Sequence, residues 1–99
     1  MIITEALARA DTVHAVFFLL AAYIEAVQSH DGGLTLPEAI TRLPVRGERD
    51  LATRHADARA LYTRCLGETG RQVPLIAELS DVYGVALNRL RTLQWPWAA

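Results

Sequence analysis

Val13-His14-Ala15-Val16-Phe17-Phe18-Leu19-Leu20-Ala21-Ala22-Tyr23-Ile24 is the most apolar run of the chain, and its reading decides the fold. As helix it would reach about 18 Å, well short of the ~30 Å hydrocarbon core of a bilayer. A secretory leader wants a basic start and a small-x-small cleavage site. Here Glu5, Arg9 and Asp11 precede the run, and Glu25 follows it directly. The run is therefore read as the middle of a folded helix from Ile3 or Thr4 to about Ser29. Ile3, Leu7, Ala10, His14, Phe17, Ala21, Ile24 and Gln28 follow steps of four and three, and Val13, Val16, Leu20, Tyr23 and Val27 make a second apolar line beside them. The polar stripe of Asp11, His14, Glu25 and Ser29 is thin and interrupted by Phe18 and Ala22. A helix apolar most of the way round is expected at the centre of a fold or shared with a partner.

The rest of the chain continues in helix. His30-Asp31-Gly32-Gly33 supplies a glycine for a left-handed stop. Thr35-Leu36-Pro37-Glu38 has the spacing of a capping box, with proline in the first turn, and opens a short helix that Pro44 ends. A third helix is expected from about Glu48 to Leu66. Leu51, His55, Ala58, Tyr62 and Cys65 form its apolar stripe, and Asp50, Arg54, Asp57 and Arg64 its solvent face. Asp50 and Arg54 stand at a favourable i,i+4 spacing. From Val73-Pro74 to about Gln94, Ile76, Leu79, Tyr83, Ala86, Leu90 and Leu93 keep a three–four rhythm through Gly84. One long helix or two helices broken at Asp81–Gly84 both satisfy that rhythm, and the proline of Trp95-Pro96-Trp97 is expected to stop the helix. No repeat, low-complexity tract or alternating strand pattern is present. The expected fold is all-α: residues 1–99 as a single bundle of about four helices, two or three long and one short, packed antiparallel through short loops.

Composition agrees and narrows function. Of 99 residues, 52% are hydrophobic and only 7% aromatic, with 16 alanines and 14 leucines, a helix-forming inventory long enough to bury a core without a disulfide or metal. Net charge is −1, which argues against a protein that coats nucleic acid. All ten basic residues are arginine, the usage expected of a GC-rich bacterial genome. The single cysteine, Cys65, forms no internal disulfide, so a reducing cytoplasm fits best. At a helix C-terminus its thiolate gains nothing from the dipole, and a small apolar filler is expected.

No motif of catalysis or cofactor binding occurs: no glycine-rich phosphate loop, nucleophile elbow or zinc spacing. His14 follows Asp11 by three residues and borders an apolar face; His55 lies on the stripe of the third helix; packing is the expected role of both. They form a site only if they meet in space, as do Arg42, Arg46 and Arg49 around the Pro44–Gly47 turn, which could converge on an anion. Otherwise the arginines read as helix faces balanced by Glu48, Asp50 and Asp57.

Ile76-Ala77-Glu78-Leu79-Ser80-Asp81-Val82-Tyr83-Gly84-Val85-Ala86-Leu87-Asn88-Arg89-Leu90 resembles the helix-turn-helix of bacterial repressors of the lactose-repressor type. Ala77 matches the small residue of the first helix, Val82 the apolar turn residue, and Leu87 and Leu90 core positions of the second. Asp81 stands where that family usually has its turn glycine. The resemblance implies that Tyr83, Asn88, Arg89 and Thr92 face DNA, with Asn88 and Arg89 at base edges. Residues 71–99 hold few cations for phosphate contacts.

The expectation is thus a non-enzymatic cytoplasmic protein, without cofactor or small-molecule substrate, that works by protein–protein contact, with a partner protein or with itself as a homodimer. A DNA-binding regulator using residues 73–94 is the alternative. The residues expected at the protein interface are Phe18, Leu19, Tyr23, Trp95 and Trp97, because a bundle of this length has trouble covering so many large apolar groups alone.

Overall fold

Helix-forming composition gives an all-α bundle in the computed structural model, in which residues 2–30, 36–65 and 72–98 are described, with backbone alone at residues 30, 72 and 95–98. Among these residues there are five helices: α1 (Ile3–Ala8), α2 (Val13–His30), α3 (Glu38–Thr41), α4 (Glu48–Arg64) and α5 (Gln72–Ala98).

The expected first helix is two. The break at Arg9–Thr12 has a local cause: the Thr12 hydroxyl accepts a hydrogen bond from the Ala15 amide at 3.0 Å, capping the start of α2. The Ala10 carbonyl in the break accepts a bond from Arg89 Nε at 2.8 Å. A helix end inside a bundle needs such partners for its orphaned groups.

The capping box expected at Thr35 lies outside the described residues. Pro37 itself precedes the first turn of α3, with no side-chain cap, and the chain turns extended at Arg42. The Leu43–Pro44 peptide is cis. Gly47 opens α4 at φ 149°, a backbone region that strains any side chain, and so makes the turn from 42–46 into α4. The Asp50 carboxylate accepts the Arg46 amide at 2.9 Å across that turn.

α5 runs unbroken through Gly84 and past Pro96 to Ala98, so neither the break at Asp81–Gly84 nor the stop at proline occurs. Gly84 has a packing reason: a Cβ there would stand 2.9 Å from Nε2 of His55 on α4. The glycine that weakens the helix by roughly 1 kcal/mol admits the imidazole.

α5 is the central helix, packed on α1, α2 and α4. Its buried set of Ile76, Leu79, Val82, Tyr83, Ala86, Leu87 and Leu90 is wide enough to serve two neighbours. Glu48 pairs with Arg91, and His55 lies at Gly84, so α4 runs antiparallel to α5. Ala10 meets Arg89 and Tyr23 meets Glu78, so α2 is antiparallel to α5 as well. One core joins Leu7, Val16, Leu20 and Ile24 to Leu51, Ala58 and the α5 residues from Leu79 to Leu90. At about 40 Å, α5 accounts for the long axis of the molecule, whose extents are 43 × 24 × 22 Å. No helix among the described residues is long and apolar enough to cross a membrane.

Candidate interaction surface on the second helix

α2 turns Val16, Leu20, Ile24 and Val27 to the core. That spacing of four, four and three fixes the opposite face: His14, Phe18, Ala22, Glu25 and Ser29 are exposed, flanked by the half-buried Ala15 and Ala21. The expected thin polar stripe is therefore the solvent side, and its interruption by Phe18 and Ala22 leaves an apolar centre with polar ends. Phe18 is 66% exposed. α2 is thus not the central helix that its composition suggested. It is an outer helix with carbon on both faces.

The other expected interface residues are placed differently. Leu19 and Tyr23 are half-buried and pack against the core. The Tyr23 hydroxyl donates to Glu78 of α5. Burial, and then the Glu78 carboxylate, push the Tyr23 phenol well above its ordinary range. Tyr23 thus ties α2 to α5, and Leu19 packs against the core rather than standing out from it. The side chains of Trp95 and Trp97 lie outside the described residues.

A buried polar hub sits at the other side of α5, and sequence reasoning missed it. Arg54, assigned to the solvent face of its helix, is 1% exposed. Its Nε donates to both Asp50 oxygens at 3.3 Å, Nη1 to the Tyr83 hydroxyl at 3.4 Å, and Nη2 to the carbonyls of Arg42 at 2.5 Å and Pro44 at 3.3 Å. Tyr83 in turn donates to the Ile40 carbonyl. The carbonyls of Ile40, Arg42 and Pro44, at the end of α3 and in the irregular stretch after it, are thus bonded by two side chains from α4 and α5, as buried peptide groups require. Partial burial alone would raise the Asp50 carboxyl. The Arg46 amide and the Arg54 guanidinium outweigh it and hold the group below the usual carboxylate range. This hub is an anchor, because the Arg54 guanidinium and the Tyr83 hydroxyl bond other parts of the same chain.

The remaining candidates do not assemble. His14 is exposed on the outer side of α2, whereas His55 lies against Gly84 between α4 and α5, so the two histidines do not share a site. Burial, then Arg59 and Arg91, hold the His55 imidazole below its ordinary value, against Asp81. Arg42, Arg46 and Arg49 are exposed, and the anion held at their turn is the chain's own Asp50. No group of three metal-ligating side chains occurs among the described residues. A cleft of about 380 Å³ between α3 and α4 is lined by Pro37, Ala39, Ile40, Ala60 and Leu61, with Asp57 and Arg64 as its charged groups. It contains no nucleophile and no base positioned on one.

The surface implied by the repressor resemblance is also absent in this form. Tyr83 is fully buried in the hub and α5 has no turn. Arg89 spends its Nε on the Ala10 carbonyl. Asn88 and Thr92 are exposed, and the Thr92 hydroxyl bonds back to the Asn88 carbonyl at 2.9 Å. A single straight helix cannot hold a recognition helix at an angle to its partner. We find no protein-family model, no curated protein and no solved structure that matches the chain.

Proposed function

We propose that the chain is a small non-enzymatic helical protein of the cytoplasm that works by protein–protein contact, with the outer face of α2 as the contact surface. The observation that carries this reading is Phe18, 66% exposed in the middle of Ala15, Ala21 and Ala22. Full burial of a phenylalanine is worth about 1.5–3 kcal/mol, and most of that is unrealised at this position. A large aromatic among small residues is also the composition of an interface centre, where one anchor contributes most of the binding energy. His14, Glu25 and Ser29 at either end supply the polar rim. The lone Cys65 fits a reducing compartment.

Site-specific photo-crosslinking in cells tests the reading. A benzophenone side chain at Ala22 is expected to form protein adducts. The same group at the exposed Arg59 of α4 serves as control and is expected to form none. Absence of adducts at Ala22 would overturn the proposal.

A further inference from the structure

We infer that the partner on the outer face of α2 is a second copy of this chain, bound with the two α2 helices antiparallel about a two-fold axis between Phe18 and Ala22. The inference rests on the reading of α2 as a contact surface and adds the occupant and its orientation.

The argument is one of self-complementarity. His14, Phe18, Ala21, Ala22, Glu25 and Ser29 run along one side of α2 in steps of three and four, the spacing of a coiled-coil seam. A two-fold contact requires that each patch fit itself: if one residue meets another, the second meets the first. With helices antiparallel, Phe18 of each copy lies over Ala21 and Ala22 of the other, a large side chain in the space two small ones leave. His14 then stands beside Glu25 of the second copy, twice by symmetry, so a ring N–H faces a carboxylate. The parallel alternative sets Phe18 on Phe18 and Glu25 on Glu25, which joins the two bulkiest groups and repels at the charged end. Size and charge therefore select the same orientation, through different residues.

From His14 to Ser29 the seam spans about 23 Å of helix. One face of a single helix offers less than the ~800 Å² per partner of a standard interface, so weak association, in the range of about 10–100 µM, is expected.

Sedimentation equilibrium on the full chain is the test, with circular dichroism to verify that each variant keeps its helix. Wild type is expected to reach twice 10.9 kDa as concentration rises, and Phe18→Glu to remain monomeric. His14→Glu sets Glu against Glu25 and is expected to weaken the dimer by about tenfold, as close like charges do. Adding Glu25→Arg to that variant restores an opposite pair in the antiparallel arrangement alone, and affinity is expected to return to within about threefold of wild type. A wild type that stays monomeric at about 1 mM, a dimer that survives Phe18→Glu, or no recovery in the double variant would overturn the inference. Adducts at Ala22 to other proteins, with a monomeric wild type, would sink the second copy and leave the contact surface standing. No adducts at all would remove both.

Discussion

Arg54 serves this fold in a way that no apolar residue of its helix can, because it bonds backbone that lies outside any helix. Its guanidinium joins Asp50 on α4, Tyr83 on α5 and the carbonyls of Arg42 and Pro44. Arg54→Ala leaves those buried groups without donors and is expected to lower stability by about 2–4 kcal/mol in urea denaturation at pH 7. Asp50 is 24% exposed, so its charge stays partly solvated and the loss should sit below that of a wholly stranded ion. Arg54→Lys cannot reproduce the fork and is expected to recover less than half of it. The acid side follows from Asp50, whose carboxyl is held below the ordinary value of about 3.9. Its contribution is therefore full above that value and lost as pH falls through the folded one. Asp50→Asn should flatten this part of the stability profile below about pH 4, and an unchanged acid limb would show that the pairing is not felt. The pairing of Asp50 with Arg54 was legible in the sequence; its burial was not. Arg54 stands three residues from Leu51 and four from Ala58, and so shares their face as closely as His55 does. A charged residue at such a position reads as solvent-facing until the carbonyls it serves are known. Those carbonyls come from Arg42 and Pro44, in a segment with no periodicity to read.

At the scale of elements, the presence of the short helix and the start of α4 followed from spacing, glycine and proline, whereas the rhythm of α5 left one helix or a break at Asp81–Gly84 equally open. The boundary between α1 and α2 did not, because an apolar line continues across it and the cap is a single threonine. Thr12→Ala should therefore reduce stability by about 1 kcal/mol, the ordinary worth of such a cap. A value near zero in thermal denaturation would place the cause of the break elsewhere. Gly84 is the better-defined case, since two opposed effects meet there. Alanine improves the interior of α5 by about 1 kcal/mol, and its Cβ displaces the His55 ring from a 2.9 Å approach. In wild type the two should nearly cancel for Gly84→Ala. With His55→Ala already in place, the displacement disappears and Gly84→Ala should stabilise by about 1 kcal/mol. Equal effects in both backgrounds would mean that the imidazole does not explain the glycine.

At the scale of the molecule, composition and periodicity specified an all-α bundle but left the most apolar helix either central or shared with a partner, and the central place belongs to α5. α2 is the more apolar, yet α5 is the longer and carries apolar residues wide enough for neighbours on both sides. Which helix lies between the others depends on contacts made over the whole chain, and a pattern read along one helix cannot rank them. The arrangement does imply an order of stability. α4 makes the most extensive pairing with α5, and the Arg54 hub reinforces it, whereas α2 packs through one face and leaves Phe18 in solvent. Sub-global opening starts from elements with few buried contacts. Amides of α2 should therefore exchange faster in native-state hydrogen exchange than those of α4 and of α5 from Ile76 to Leu90. Self-association on the outer face adds burial to α2 alone. Its protection should accordingly rise with protein concentration while that of α4 stays constant, as linkage between binding and opening requires. Phe18→Glu should abolish the rise without changing the protection measured for α2 at low concentration. Uniform exchange across α2, α4 and α5 would mean that the bundle opens only as a whole, and the ranking drawn from its packing would then be wrong.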